Sequence, residues 1–377
     1  MDEAWDLLFD TLLGKREELA NRVREAMQSQ LPSYRPLPTS WLADEVLLEV
    51  ERVLRSARAG SSALDDRELA ELAAVGENRA RQGVPVAEML RAWRIGIEVV
   101  VDYAREVGRR LGIADAQVLN FVQSILAWSD VAMVTTAAAH RQAERALTLA
   151  EEERRAAFVR GMLFGTVPTA ELRVHAEAYG LDPDGEYVAV RARLDDDAGG
   201  HKLEQALGFC DGQQRCGLFA RVDGDIAGFL GEPPPTGIDG AVGFGPPRTL
   251  ERLAESYRLA ARALATVHAC GLRGAHDLPS LGLRAAVAMD TDIGELLRAR
   301  YLAPLTAGGS ARELIATLRA YLACGMHVER TATRLFVHQN TVRYRLARFE
   351  ELTGTTLRDT EVLLEVWWAV ELSAMRL

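Results

Sequence analysis

The stretch HVERTATRLFVHQNTVRYRLARFEELTG (327–354) decides the reading of this chain. Its first part, HVERTATRLF (327–336), has the length of a short helix, with Ala332, Leu335 and Phe336 expected to face inward. A tight turn is expected at Val337-His338. The next segment, QNTVRYRLARFEELTG (339–354), places Val342, Leu346, Phe349 and Leu352 at i, i+4, i+7 and i+10, one face of an α-helix. On a helical wheel Asn340, Tyr344 and Arg348 point the opposite way, flanked by Thr341, Arg343 and Arg345. A short helix bracing a second one, whose exposed N-terminal residues enter the major groove, is the arrangement of a helix-turn-helix. Residues 327–353 are therefore the expected DNA-reading unit.

The side-chain chemistry agrees. Gln339 and Asn340 carry amides able to pair with an adenine edge, and Arg343 reaches guanine or phosphate. Arg334, Arg345 and Arg348 suit phosphates, which fix register rather than sequence. His338 and Thr341 complete the candidate edge, and amides at the helix N-terminus can also meet a phosphate. Over 327–349 five arginines (330, 334, 343, 345, 348) oppose Glu329, a local sum of +5 − 1 = +4. An arginine-bearing face opposite an apolar stripe is also what a merely solvated helix presents, so pattern alone does not decide.

Working outward, Ser310-Ala-Arg-Glu313 reads as a capping box opening a helix with Leu314, Leu318, Tyr321 and Leu322 on one face and Gly325 at its end. A last helix from Asp359 to about Met375 carries Val362, Leu363, Val366, Trp367 and Val370, and closes the core or forms a dimer contact. Residues 281–309 read as a helical connector ending in Ala307-Gly308-Gly309.

Upstream, 165–280 mixes strands and helices. EYVAVRARL (186–194) alternates, GLFARVDGDIAGFL (217–230) is a hairpin around Asp223-Gly224, and GAVGFG (240–245) is a short strand. TAELRVHAEAYG (169–180) and TLERLAESYRLAARALATVHA (249–269) are helices, giving a small α+β domain. Residues 1–164 read as helix almost throughout. Trp5, Leu8, Phe9, Leu12 and Leu13 mark one helix and Leu42, Val46, Val50, Val53 and Leu54 another, separated by Pro32, Pro36 and Pro38. Further helices start near Asp65, near Pro85 and after Asp115. The last either runs to about Phe164, roughly 75 Å at 1.5 Å per residue, or breaks into two. Its charged second half suits a connecting helix that carries a signal or pairs with a second subunit.

The chain has 377 residues, 48% hydrophobic and 26% charged, ordinary for a folded protein of two or three domains. The net charge of −10 argues against a surface that coats nucleic acid generally. It leaves room for one compact basic face, because screening acts over about 8–10 Å. Four scattered cysteines (210, 216, 270, 324) indicate no disulfide framework and fit a reducing cytoplasm. MDEAWDLLFD (1–10) lacks the layout of a signal peptide. No uncharged apolar run has the length of a membrane span. The nearest, 116–139, is interrupted by Gln117, Asn120, Gln123 and Asp130 and reads as a buried helix, so no membrane partner is expected.

Competing chemistry is weak. Gly243-Phe-Gly245-Pro-Pro-Arg248 lacks a third glycine, and its prolines remove amides a phosphate needs. His268, Cys270 and His276 match no zinc spacing, and Asp195-Asp196-Asp197 with His201 reads as a solvated loop. No metal, cofactor or catalytic pair is expected. Trp93, Tyr103, Phe121 and Trp128 either line a ligand pocket or, more commonly for aromatics at helical spacing, form core. Arg91, Arg94 and Glu98 either hold an anion or pair along their helix.

The segment AYLACGMHVERTATRLFVHQNTVRYRLARFEELTGTTLRD (320–359) resembles the C-terminal helix-turn-helix of the PucR family of transcriptional regulators. The resemblance rests on Leu335, Phe336, Val337, His338, Asn340, Thr341, Val342, Arg343, Tyr344, Arg345, Leu346, Glu350, Leu352, Thr353 and Gly354 and extends over 310–377. Gln339 stands where relatives often carry a basic residue. Residues 171–194 and 242–264 resemble the degenerate GGDEF-like domain of that family, without the diguanylate cyclase signature. The run AEEERRAAFVRGMLFG (150–165) and the helical pattern of 1–164 resemble an RsbR-type sensor domain.

The resemblance implies a mainly α multidomain protein: a helical sensor or partner domain (1–164), a GGDEF-like domain (165–280), a connector (281–309) and a DNA-binding domain (310–377). It implies a cytoplasmic homodimer or higher oligomer that binds double-stranded DNA and answers to a small-molecule or protein effector. It implies no enzyme. The alternative is a signalling scaffold acting through its helical N-terminal domain.

Overall fold

The computed structural model describes residues 3–59, 64–193, 207, 209–210, 213–214, 217–235, 237–308 and 310–375. The protein is mainly helical and divides into two compact units, Met1–Glu152 and Glu153–Leu377. The segment Asp195–His201 lies outside the described residues.

The first unit is a bundle of α1 (Glu3–Gly14), α2 (Arg16–Gln30), α3 (Thr39–Ala59), α4 (Asp66–Arg81), α5 (Val86–Leu111) and the first part of α6 (Asp115–Phe164). Local chemistry explains the boundaries. Asp65 caps α4 in a capping box with Glu68, Pro85 precedes α5, and Gly112, at φ 68°, ends it in the left-handed region. One stripe of each helix enters a common core that includes Leu8, Phe9, Leu12, Leu42, Leu54, Phe121, Ile125 and Trp128. Trp93 packs tilted on Trp128 with ring centroids 5.7 Å apart, and Phe9 on Phe121 at 5.4 Å.

The helix after Asp115 is one uninterrupted element of 50 residues. The expectation of a buried helix over 116–139 is corrected. Phe121, Ile125, Trp128, Ala132 and Ala137 are buried, but Leu119, Leu126 and Val134 on the other side are exposed. By length and hydropathy this helix could cross a membrane, and only 28% of its most apolar window is buried. Its buried stripe belongs to the bundle core.

The second unit opens with the end of α6. Phe158, Val159, Met162 and Leu163 pack with α7 (Thr169–Ala178) and one face of a sheet. The strands are β1 (Glu186–Arg193), β4 (Gly217–Val222), β5 (Asp225–Leu230), β6 (Ala241–Phe244), β7 (Arg248–Thr249) and β8 (Gly274–His276), with β2 (Phe209–Cys210) and β3 (Gln213–Gln214) forming a separate ribbon. The main path runs β4-β5-β1-β6-β8, antiparallel except for the last pair, and β7 pairs with β1. Strand β1 sits centrally, with Val190 opposite both Gly228 and Phe244. The hairpin forms at Asp223 and Gly224, both at positive φ, the geometry of a type I′ turn.

Helix α8 (Leu253–Ala269) lies against β1 and β6, and two glycines permit its approach. A Cβ on Gly243 would stand 2.3 Å from the Ala260 carbonyl oxygen, and one on Gly245 would stand 2.1 Å from that of Ser256. The Gly-Phe-Gly motif thus serves helix-on-strand packing. The Ser256 hydroxyl, fully buried, accepts from the Ala189 amide at 3.1 Å.

After α9 (Leu278–Leu281) and α10 (Arg284–Met289), the chain builds its last core from α11 (Thr291–Tyr301), a 3-10 turn (Ala303–Gly308), α12 (Ala311–Ala323), α13 (Val328–Leu335), α14 (Gln339–Thr353) and α15 (Thr360–Leu372). The segment expected to be a connector enters this core. Tyr301, Leu302 and Leu305 pack with Leu314, Leu318, Phe349, Val366 and Val370. Gly294 lets α11 lie against Trp368 and Leu372 of α15. Ion pairs from Arg284 to Glu371 (3.0 Å) and Arg300 to Glu365 (3.1 Å) join the same elements.

The glycine contact sets a clear expectation. Gly245→Ala should destabilise the second unit by about 1–3 kcal/mol, because the added methyl meets rigid backbone. Gly237→Ala, with open space around it, should stay within about 0.5 kcal/mol. Urea unfolding checks both. Equal stability of Gly245→Ala and the wild type would contradict the packing described.

Candidate nucleic-acid interface

Helices α13 and α14 form the expected pair. Thr331 and Ala332 are buried beneath α13, and Val342 and Phe349 are fully buried beneath α14. Leu346 and Leu352 complete the α14 stripe. The turn differs from expectation at Phe336, which does not face inward. It is the C-cap of α13 in the left-handed conformation (φ 53°, ψ 44°) and is 96% exposed. The left-handed cap turns the chain away from the helix axis and carries the ring outward with it. The inward side of this turn is supplied by Ala332, Val342 and Phe349.

His338 is the N-cap of α14. Its Nδ1 accepts from the Asn340 amide at 3.2 Å, and this contact requires the tautomer with its proton on Nε2. That leaves an outward N–H donor at the helix start. It also occupies one of the amides expected to be free for a phosphate.

The remaining candidates fall into two groups. Asn340, Arg343 and Tyr344 are exposed, Tyr344 at 69%, and the Arg343 guanidinium donates to Asn340 Oδ1 at 3.2 Å. That contact holds an amide and a guanidinium side by side on the exposed face of α14. Arg334 is exposed and, with Arg330, forms no ion pair among the described residues. Gln339 and Thr341 are half-buried beside them.

Arg345 and Arg348 form the second group. Arg348 is held by Glu351 at 2.5 Å, and this carboxylate keeps its guanidinium firmly charged. Arg345 is half-buried. It pairs with Glu313 and donates to the Thr317 hydroxyl at 3.4 Å, both on α12. In this arrangement its donors clamp α14 onto α12. The expected capping box at Ser310 does not form: at φ −110°, ψ 17° Ser310 is outside the extended region from which an N-cap side chain reaches the helix amides and makes no side-chain cap, and Glu313 pairs with Arg345.

The model of the PucR C-terminal helix-turn-helix domain matches residues 314–372. The GGDEF-like domain matches 164–266, and the N-terminal domain of the RsbT co-antagonist protein rsbRD matches 17–155. The three matches follow one another along the chain in the order RsbRD-type N-terminal domain, GGDEF-like domain, PucR-type helix-turn-helix. An uncharacterized protein of Mycobacterium tuberculosis strain H37Rv is 37% identical over 164 residues, which cover 39% of this chain and 37% of that protein. The purine catabolism regulatory protein of Bacillus subtilis is 39% identical over 64 residues, 17% of this chain and 12% of that protein. The chain thus spans well under two thirds of these relatives. A solved regulator of polyketide synthase expression from Bifidobacterium adolescentis aligns over 58% of this chain and 96% of its own at 17% identity, with a TM-score of 0.26. That likeness is too slight to bear on the fold.

The PucR-type segment coincides with α12–α15, so its reading edge and its clamp can be separated by mutation. Arg345→Ala should lower the stability of the C-terminal core by about 1 kcal/mol, through lost packing and the lost Thr317 bond. Arg343→Ala should leave it within about 0.5 kcal/mol. Thermal melts of the two variants check this, and the reverse order would exchange the two roles.

Proposed function

We propose that this chain is a sequence-specific, DNA-binding transcriptional regulator. Its reading edge is the N-terminal turn and outer face of α14. The observation that carries the reading is the division of labour on that helix. Val342 and Phe349 are sealed in the core while Asn340, Arg343 and Tyr344 stand in solvent, the first two already aligned with each other. Arg343 and Asn340 read base edges, with Gln339 and Thr341 beside them. Arg334, the His338 Nε2–H and, once released from Glu351, Arg348 meet phosphates. Arg345 holds the helix in place.

The reading includes control by an effector sensed upstream, a homodimer, and a cytoplasmic setting. Two-fold pairing would match two half-sites about one helical turn of DNA apart. The exposed Leu119, Leu126 and Val134 of α6 supply an apolar edge compatible with a second copy. The domain division of 1–164, 165–280, 281–309 and 310–377 belongs to the same proposal, with 291–308 contributing core to the last part. Catalysis is not part of it. The hairpin where a cyclase signature would lie is a two-residue turn, and the following Asp225 is buried under Arg191 (2.8 Å) and Arg193 (3.1 Å).

A gel shift with DNA from upstream of the chain's own gene tests the reading. Affinity should fall steeply between about 50 and 200 mM salt. Arg343→Ala and Asn340→Ala should each cost about 1–3 kcal/mol of specific binding without loss of fold. Arg334→Ala should weaken specific and non-specific DNA alike. Wild-type binding by both Arg343→Ala and Asn340→Ala would refute the assignment. Absence of DNA affinity in every oligomeric state would favour a scaffold acting through protein contacts.

A further inference from the structure

The N-terminal bundle encloses a cavity between α2, α3, α4, α5 and α6. Its volume is about 80 Å³, and it is partly open to solvent. Close-packed interiors rarely keep such a space unless something occupies it. Most of its wall is apolar, with Val50, Ile97, Val100 and Ile125 among the lining residues, but one part carries charge.

The charged residues on the wall are unevenly satisfied. Arg79 is 4% exposed. It pairs with Glu45 at 3.1 Å, donates to the Tyr34 hydroxyl at 3.3 Å and lies over the Tyr34 and Trp41 rings. Its capacity is largely spent. Glu49 accepts from Arg52 through Oε1 at 2.8 Å, while its Oε2 is buried with no partner. Burial pushes the Glu49 carboxyl up to about 7. Trp128 lines the same cavity, is 1% exposed, and its indole N–H has no partner. Buried polar atoms are almost always paired, so an unpaired donor and an unpaired carboxyl oxygen on two residues lining the same cavity mark it as a place for a polar group.

We propose that this cavity is the effector site, and that it takes a small uncharged molecule with an apolar body and one hydroxyl or primary amide head. The head accepts from Trp128 Nε1–H and meets Glu49 Oε2. The choice follows from elimination. A hydrocarbon satisfies neither atom. A carboxylate would face Glu45 and Glu49, with Arg79 already engaged. An ammonium cannot accept from an indole. A hydroxyl or amide both donates and accepts, so it suits Glu49 in either protonation state. The proposal rests on the reading that the chain is effector-controlled, but its test is independent of DNA.

Full-length protein labelled with 5-fluorotryptophan is titrated with benzyl alcohol and benzamide, and with toluene and benzoate as controls. The Trp128 resonance is assigned by its loss in Trp128→Phe. The expected result is a saturable shift of that resonance with the two polar probes, and at least about tenfold weaker binding of toluene and benzoate. Calorimetry should show benzyl alcohol binding weakened about tenfold in Trp128→Phe and in Glu49→Leu. Gly96→Leu projects a side chain from the cavity wall, where a Cβ meets Val23 and Met27 only at ordinary contact distances. It should abolish binding while circular dichroism shows an intact helical fold. No saturable Trp128 shift, equal binding of toluene or benzoate, or unchanged binding in a folded Gly96→Leu would each overturn the proposal. A negative gel shift would leave the cavity result standing, and a negative titration would leave the DNA reading standing.

Discussion

The reading edge depends on how α14 is fixed to α12. Val342 and Phe349 have no exposed surface, and burying side chains of this size contributes roughly 1.5–3 kcal/mol each. They set the rotation of the helix about its axis. Arg345, reaching across to Glu313 and Thr317, then fixes its position along α12. With both settings made, the alternate face has one place to go. Asn340, Arg343 and Tyr344 leave the protein surface together, and the His338 cap defines where they begin. A change in the clamp would move every proposed base contact at once.

The same core extends further than the helix pair. Tyr301, Leu302 and Leu305 from the preceding segment fill it, and α15 closes it through Val366 and Val370. The Tyr301 hydroxyl bonds to Glu365, and this contact with burial pushes the phenol up to about 12, so it stays a donor at any physiological pH. The two helices proposed to read DNA are therefore tied to the segment that follows the sheet domain, a route by which a shift in α10 or α11 would be felt at α14. In the sheet domain itself, Gly243 and Gly245 let α8 approach, and Asp225 pairs with Arg191 and Arg193.

What the sequence displayed was governed by how local each interaction is. The α14 stripe was legible because its period is a property of consecutive residues. So were the Asp223-Gly224 hairpin and the helix start near Asp65. The capping box at Ser310 was a sound local inference that failed because the backbone at Ser310 is not extended and Glu313 finds a distant partner in Arg345, 32 residues away. Phe336 was misplaced because a left-handed cap on a non-glycine residue leaves no compositional trace. The contribution of 291–308 to the terminal core was missed because the partners of its apolar residues lie on α12, α14 and α15, beyond the reach of a local pattern. The aromatics of the bundle were split by tertiary packing. Trp93 and Trp128 line the cavity, Trp128 also belonging to the core, while Tyr103 and Phe121 are core alone. No sequence signal separates the two, since both outcomes use the same helical spacing. Arg91, Arg94 and Glu98 lie outside the cavity wall.

Photo-crosslinking tests the central claim most directly. DNA that the protein retains, substituted with 5-iodouracil, would be irradiated in complex with the full chain and the attachment sites read by mass spectrometry. Adducts should concentrate on residues 338–344, with Tyr344 prominent because its ring is exposed on the reading edge. Adducts confined to other elements, with 338–344 unmodified, would contradict the account.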